Sequence, residues 1–160
     1  MKLRTLSPFI LLPLLFPASA HSQEIRKSNP PNVAKPVAAY SHLAEVPAGS
    51  RMLFLAGQVG NRPDGSLPAT VEEQAVQALE NIRLILEAEG ARPEDIVKLT
   101  FFVVKKPGDM SRIAEKRAAL FGKTHPPPST WIYVSGLAAP EYLIEVEAIA
   151  AAPVRSTSRN

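Results

Sequence analysis

Residues 70–104, TVEEQAVQALENIRLILEAEGARPEDIVKLTFFVV, change their hydrophobic period partway along. In the first part Val71, Ala75, Ala78, Leu79, Ile82, Ile85 and Leu86 recur at the three- and four-residue spacing of one helix face. Thr70 and Glu73 form the capping-box pattern ahead of that run, and Gly90 stops it. After a turn at Arg92-Pro93-Glu94-Asp95, the segment Ile96 to Val104 is β-branched, aromatic and almost continuously apolar, with Lys98 as its one charge. That is the composition of a strand inside a covered sheet. A helix leading directly into an interior strand predicts a layered α/β fold.

Toward the C-terminus a second amphipathic helix fits Met110 to Phe121, with Asp109 as N-cap and Ile113, Ala114, Arg117 and Phe121 along one side. Gly122 ends it. The stretch HPPPSTWIYV then predicts a strand from Thr130 to Val134. LIEVEAIAA, Leu143 to Ala151, predicts another, with Glu145 and Glu147 on one face and Ile144, Val146 and Ala148 on the other. Toward the N-terminus, Tyr40 to Val46 and Met52 to Val59 flank the turn Pro47-Ala48-Gly49-Ser50, which predicts two antiparallel strands; Asn61 to Ser66 is a further turn. The order ββαβαββ predicts an α/β sandwich with a mixed sheet and two helices on one face. No helix remains for the second face, so that face is expected to meet another copy in a closed homo-oligomer.

The 160 residues, 46% apolar and 21% charged, suit one globular domain. The sixteen prolines punctuate joints and ends and form no repeat. Residues 1–20, MKLRTLSPFILLPLLFPASA, place Lys2 and Arg4 before a short apolar run that ends in Ala18-Ser19-Ala20. This is a signal-peptide pattern, expected to be cleaved after Ala20 and to deliver a periplasmic or secreted protein. The run is too short, and Pro13 too disruptive, for a permanent membrane span. Residues 21–34 are then a flexible leader, 35–152 the domain and 153–160 a flexible tail.

Loss of Lys2 and Arg4 reduces 18 basic residues to 16 against 15 acidic ones, a net charge of +1. No basic stripe with interleaved aromatics appears, so nucleic acid is not an expected partner. The absence of cysteine excludes disulfides, thiolate catalysis and a lipidated cysteine anchor. His21, His42 and His125 stand far apart, without ligand spacing to acids, so no metal is expected. Nucleophile-elbow, P-loop and dinucleotide motifs are absent, and no cofactor is expected.

The residues left to carry chemistry are few. Glu145 and Glu147 lie in an apolar strand, where a carboxylate on a partly dry face is suited to proton transfer, or else belongs to a solvated strand face or a salt bridge. Tyr40 and Trp131 can line a small pocket or simply pack. Gln58 can orient a ligand or satisfy backbone at a strand end.

From about Val33 to Ala152 the chain resembles the RidA (YjgF) family. Tyr40-Ser41 resembles its PYS motif, Ala56-Gly57-Gln58 its SGQ, and Gln74 through Asn81 its QxxxxLxN helix; Asp95-Ile96-Val97-Lys98 resembles DVVK, and IEVEAIA its last strand. The resemblance implies a chorismate-mutase-like α/β sandwich assembled as a trimer, with small-molecule clefts between subunits. It also implies hydrolysis of reactive imines or enamines to a 2-oxo acid and ammonia, as in 2-iminobutanoate/2-iminopropanoate deaminases. On this correspondence Glu145 directs the attacking water, and Tyr40, Ala56, Gly57, Ser129 and Trp131 line the substrate site. Two departures bear on activity. Ala56 stands where the motif has Ser, and Ser129, or Pro128 when counted forward through the prolines, stands where the family's carboxylate-clamping Arg is expected; neither is Arg. Loss of a bidentate clamp costs about 2 to 4 kcal/mol, so the usual imino acid is expected to react weakly unless another cation reaches in. Arg51, Lys98 and Lys123 qualify by type. The resemblance therefore implies either a deaminase-type hydrolase acting on an imine or related small electrophile, or a non-catalytic member that binds a small molecule or partner.

Overall fold

The computed structural model describes residues 24–154. The signal peptide expected over residues 1–20, and the tail beyond residue 154, lie outside the described residues. Six strands and two helices follow in the order β1 (Arg26–Ser28), β2 (Leu43–Glu45), β3 (Arg51–Gln58), α1 (Val71–Ala88), β4 (Ile96–Val103), α2 (Ser111–Phe121), β5 (Ser129–Tyr133) and β6 (Ile144–Ala152). The main sheet runs β3-β6-β4-β5, with β6 antiparallel to both its neighbours and β4 parallel to β5. A parallel neighbour requires a crossover, and α2 supplies it. The mixed sheet with two helices on one face is the architecture the sequence predicts.

The core forms where the helix stripes meet that face. Leu79, Ile82 and Leu86 of α1 and Ile113, Leu120 and Phe121 of α2 are buried with Leu99, Phe101 and Val103 of β4 and Ile144 and Val146 of β6. Alanines at 148, 150 and 152 continue the helix-facing side of β6. Thr70 caps α1 as expected, its hydroxyl accepting from Glu73 N at 3.3 Å. The second helix begins at Ser111, where the Asp109 carboxylate accepts from the backbone N (2.8 Å) and hydroxyl (2.7 Å) of that residue.

Strand pairing at the N-terminal end differs from expectation. β2 is short and pairs with β1, not β3: Arg26 stands opposite Glu45, Lys27 opposite Ala44 and Ser28 opposite Leu43. β3 pairs instead with β6. The reason is burial, since Leu53 and Leu55 pack on the core when β3 lies beside β6, whereas the alternation exposed-intermediate-exposed along β2 has no apolar face to offer. The β1–β2 ribbon is fastened by the Arg26–Glu45 ion pair, and by Lys27 Nζ donating to Glu94 O at 2.8 Å.

Side-chain amides of α1, one buried and one half-buried, fix the ends of the two strands that matter most. Gln74, 1% exposed, donates to Pro68 O (2.9 Å) and Glu141 O (3.0 Å) and accepts from Leu143 N (2.8 Å), which anchors the chain just before β6. Asn81 donates to Val59 O (3.1 Å) and Asn61 O (2.9 Å), which anchors the chain just after β3. Gly60 lies against this helix so closely that a Cβ there would sit 2.6 Å from Gln74 Cα. The opposite face of the sheet is uncovered. Met52, Phe54 and Ile132 are exposed there, Phe54 by 76%. Along the β3 edge of the sheet, an open apolar hollow of about 490 Å³ lies between β3, including Met52, Phe54 and Ala56, and Ile85 and Leu86 of α1.

Candidate functional site

The first group of site residues is built by an irregularity in β3. Leu55 pairs with Ala148 and Gln58 with Val146, so three steps on β3 oppose two on β6 and the extra residue falls at Ala56-Gly57. Such a bulge bends the strand and re-aims its side chains. Here it places Gly57 under Glu145: a Cβ on Gly57 would lie 1.7 Å from Glu145 Oε1 and 2.6 Å from its Cδ. Glycine is needed for space, because the carboxylate occupies the volume a side chain would take. Gln58 closes the bulge by donating to Ala56 O (3.1 Å) and Gly57 O (3.3 Å), so of its two readings the backbone one describes its contacts.

Glu145 is half-buried on the uncovered face, beside Phe102, and its carboxylate makes no hydrogen bond among the described residues. Glu147 lies on the same face and is exposed. Ala56 is exposed on β3 and lines the apolar hollow.

A second group forms at the other edge of the sheet. Ser129 opens β5 and its hydroxyl donates to Pro127 O at 2.9 Å, while the same oxygen accepts from Arg117 Nη2 at 3.2 Å. Trp131 stacks on Phe101, with centroids 5.0 Å apart and planes 23° from parallel, and the Arg117 guanidinium lies over the Phe101 ring at 5.4 Å. Arg117 Nη2 also donates to Ala39 O at 2.7 Å, which ties down the backbone next to Tyr40. Tyr40 is half-buried and meets His42 edge-on at 5.5 Å. Thus one guanidinium from α2 touches the Ser129 hydroxyl, the Phe101 ring on which Trp131 stacks, and the backbone just before Tyr40.

None of the cations named by type takes that place. Arg51 is held by Glu89, through Nη1 to Oε2 at 3.1 Å and Nη2 to the backbone oxygen at 2.6 Å. Lys98 is bonded to the Thr130 hydroxyl, and Lys123 is exposed beyond the end of α2. Arg117 was visible in the sequence only as a charged residue on the otherwise apolar side of α2. Burial pulls its proton affinity below the ordinary arginine range, with no neighbouring charge contributing.

The two groups lie on opposite faces of one sheet. Ser129 and Trp131 register with Leu99 and Phe101, which face the helices, whereas Glu145 registers with Phe102, which does not. Within one chain the carboxylate and the guanidinium therefore do not share a pocket. No group of three or more His, Cys, Asp or Glu that could hold a metal occurs among the described residues, nor does any helix there have the length and apolarity to cross a membrane.

The family model described as Endoribonuclease L-PSP matches residues 31–152, a span that takes in both groups. The chain belongs to the RidA (YjgF) family. Among its RidA-family relatives, the 2-iminobutanoate/2-iminopropanoate deaminase of Escherichia coli K12 is 36% identical over 102 residues, which are 62% of this chain and 78% of that one. The solved structure of YyfB from Yersinia pestis, of the Rid protein family, superposes with a TM-score of 0.71 at 33% identity, covering 81% of this chain and 99% of the other. E. coli TdcF with bound serine gives 0.55 at 31% identity, covering 81% and 98%.

Proposed function

We propose that the protein is a hydrolytic deaminase of small imines or enamines, working in clefts between copies of the chain. The observation that carries this reading is the Glu145 carboxylate, laid over the side-chain-free Gly57 and unbonded among the described residues. A carboxylate so held can take a proton from water. The water oxygen then bonds to the imine carbon while the imine nitrogen gains a proton. The resulting carbinolamine loses its C–N bond, ammonia leaves, and the hydroxyl oxygen becomes the carbonyl of the product. Glu145 accepts one proton and returns one, so it emerges unchanged.

Assembly supports the reading as well. The uncovered apolar face, with Phe54 exposed on its β3 edge, calls for a partner surface, and a second copy in a trimer would bring its own Ser129–Arg117 edge toward Glu145. Export is part of the proposal. The charged, apolar and small-residue order of residues 1–20 favours cleavage after Ala20, which a mass measurement of the mature protein starting at His21 checks.

The activity is tested by following ammonia release from freshly generated 2-iminobutanoate. Wild type is expected to exceed buffer, and Glu145→Gln to lose about a hundredfold or more of that excess. Wild type no faster than buffer overturns catalysis and favours the second reading, a non-catalytic small-molecule or partner-binding protein. That reading draws on Ala56 and Ser129, which replace two polar groups of the active family pattern.

A further inference from the structure

We propose that Arg117 is the residue by which this protein reads a ligand carboxylate, presenting its guanidinium from α2 in front of Ser129. The inference deepens the reading of the cleft as a small-molecule site and rests on it.

The first ground is a charge without a counter-charge. Arg26, Arg51, Arg83 and Arg112 each meet a glutamate on the protein surface. Arg117, more deeply placed, meets none among the described residues, and its hydrogen bonds go to two neutral oxygens. A cation taken out of water without an anion is costly to hold, and a bound anion removes that cost. The second ground is the state of each nitrogen. Nε is buried without a partner, so it is turned away from any ligand. Nη2 donates to Ala39 O and to the Ser129 hydroxyl, and Nη1 makes no hydrogen bond among the described residues, nor is it among their buried unpartnered atoms. The Nη1–Nη2 end is thus the open end of the fork. A planar carboxylate docks there by accepting from Nη1 and replacing the Ser129 oxygen at Nη2; the freed hydroxyl can turn from Pro127 O to donate to the same anion.

The surroundings select the anion. One fork and one hydroxyl suit a singly charged planar group, and offer too few donors for a phosphate dianion. Because Arg117 also holds Ala39 O, the same contact sets where Tyr40 lies relative to the bound group. In an assembled cleft the carboxylate then sits on one chain and the reacting carbon faces the Glu145 of another.

Calorimetric titration of the purified protein with 2-oxobutanoate, its neutral amide and inorganic phosphate tests the assignment. Wild type is expected to prefer the acid over the amide by about ten- to a hundredfold, and Arg117→Lys and Arg117→Gln to lose that preference. Ser129→Glu provides a variant that keeps the arginine. It supplies an internal carboxylate, and is expected to weaken the acid at least about tenfold while the thermal midpoint holds or rises. Equal affinity for acid and amide, phosphate outcompeting the acid, a preference retained in folded Arg117→Lys, undiminished acid binding in Ser129→Glu, or no binding of any probe overturns the proposal. The deaminase reading survives such a result if Glu145-dependent ammonia release persists. Conversely, an Arg117-dependent preference without ammonia release keeps the clamp and removes the catalysis.

Discussion

At the scale of single residues, two glycines close to the site are required for different reasons, and the difference is measurable. Gly57 is overlain by the far end of a flexible side chain, so a methyl group there pushes the Glu145 carboxylate aside at little cost to the fold. Gly57→Ala is expected to lose about 1 kcal/mol or less of stability in urea titrations while ammonia release falls toward that of Glu145→Gln. Gly60 faces the backbone of α1, which cannot give way. Gly60→Ala is expected to cost about 1 to 3 kcal/mol in the same titrations. The sequence singled out Gly57 by its motif, but nothing in local pattern distinguishes the two, because their neighbours lie on β6 and α1. Arg117 was half legible. One charge on the Ile113–Phe121 stripe of α2 breaks the helical pattern, yet only the folded chain shows which oxygens it reaches.

At the scale of elements, polar contacts decide how the strands are held. Gln74→Leu would orphan Pro68 O, Glu141 O and Leu143 N, and is expected to destabilise by about 3 kcal/mol, seen as a lower urea midpoint with an unchanged slope. Between the helices, Glu80 accepts from Arg83 Nη2 at 2.7 Å and from Lys116 Nζ at 2.6 Å. These contacts, the Arg83 bond foremost, lower its pKa from 4.5 to about 2. A depressed carboxylate stabilises the fold at pH above its unfolded value and loses that contribution as pH falls from about 4.5 toward 2. The group is partly solvent-screened, so the contribution is under about 1 kcal/mol. Stability of wild type should fall more between pH 6 and pH 3 than that of Glu80→Gln. Helix positions and the β4 and β6 strands were readable from periodicity. The pairing of β2 with β1 was not, because short half-exposed strands carry no signal for their partner beyond charge, here Arg26 opposite Glu45.

At the scale of the whole molecule, the apolar residues exposed on the open face set the expected assembly. Phe54→Glu places a charge where a partner surface would have to cover it, and should convert the trimer proposed above into smaller species in sedimentation equilibrium. A monomeric wild type would remove the intersubunit cleft from the proposal. The bulge in β3 has a consequence of another kind. Because it is one residue of surplus length, a single-codon deletion at Ala56 would restore an unbroken ladder with β6 and swap the faces of the residues on one side of it. Such a chain could keep its helices and core while losing the niche that Gly57 leaves for Glu145. Insertions and deletions at this point, more than substitutions, are therefore a route by which the scaffold could gain or shed its chemistry.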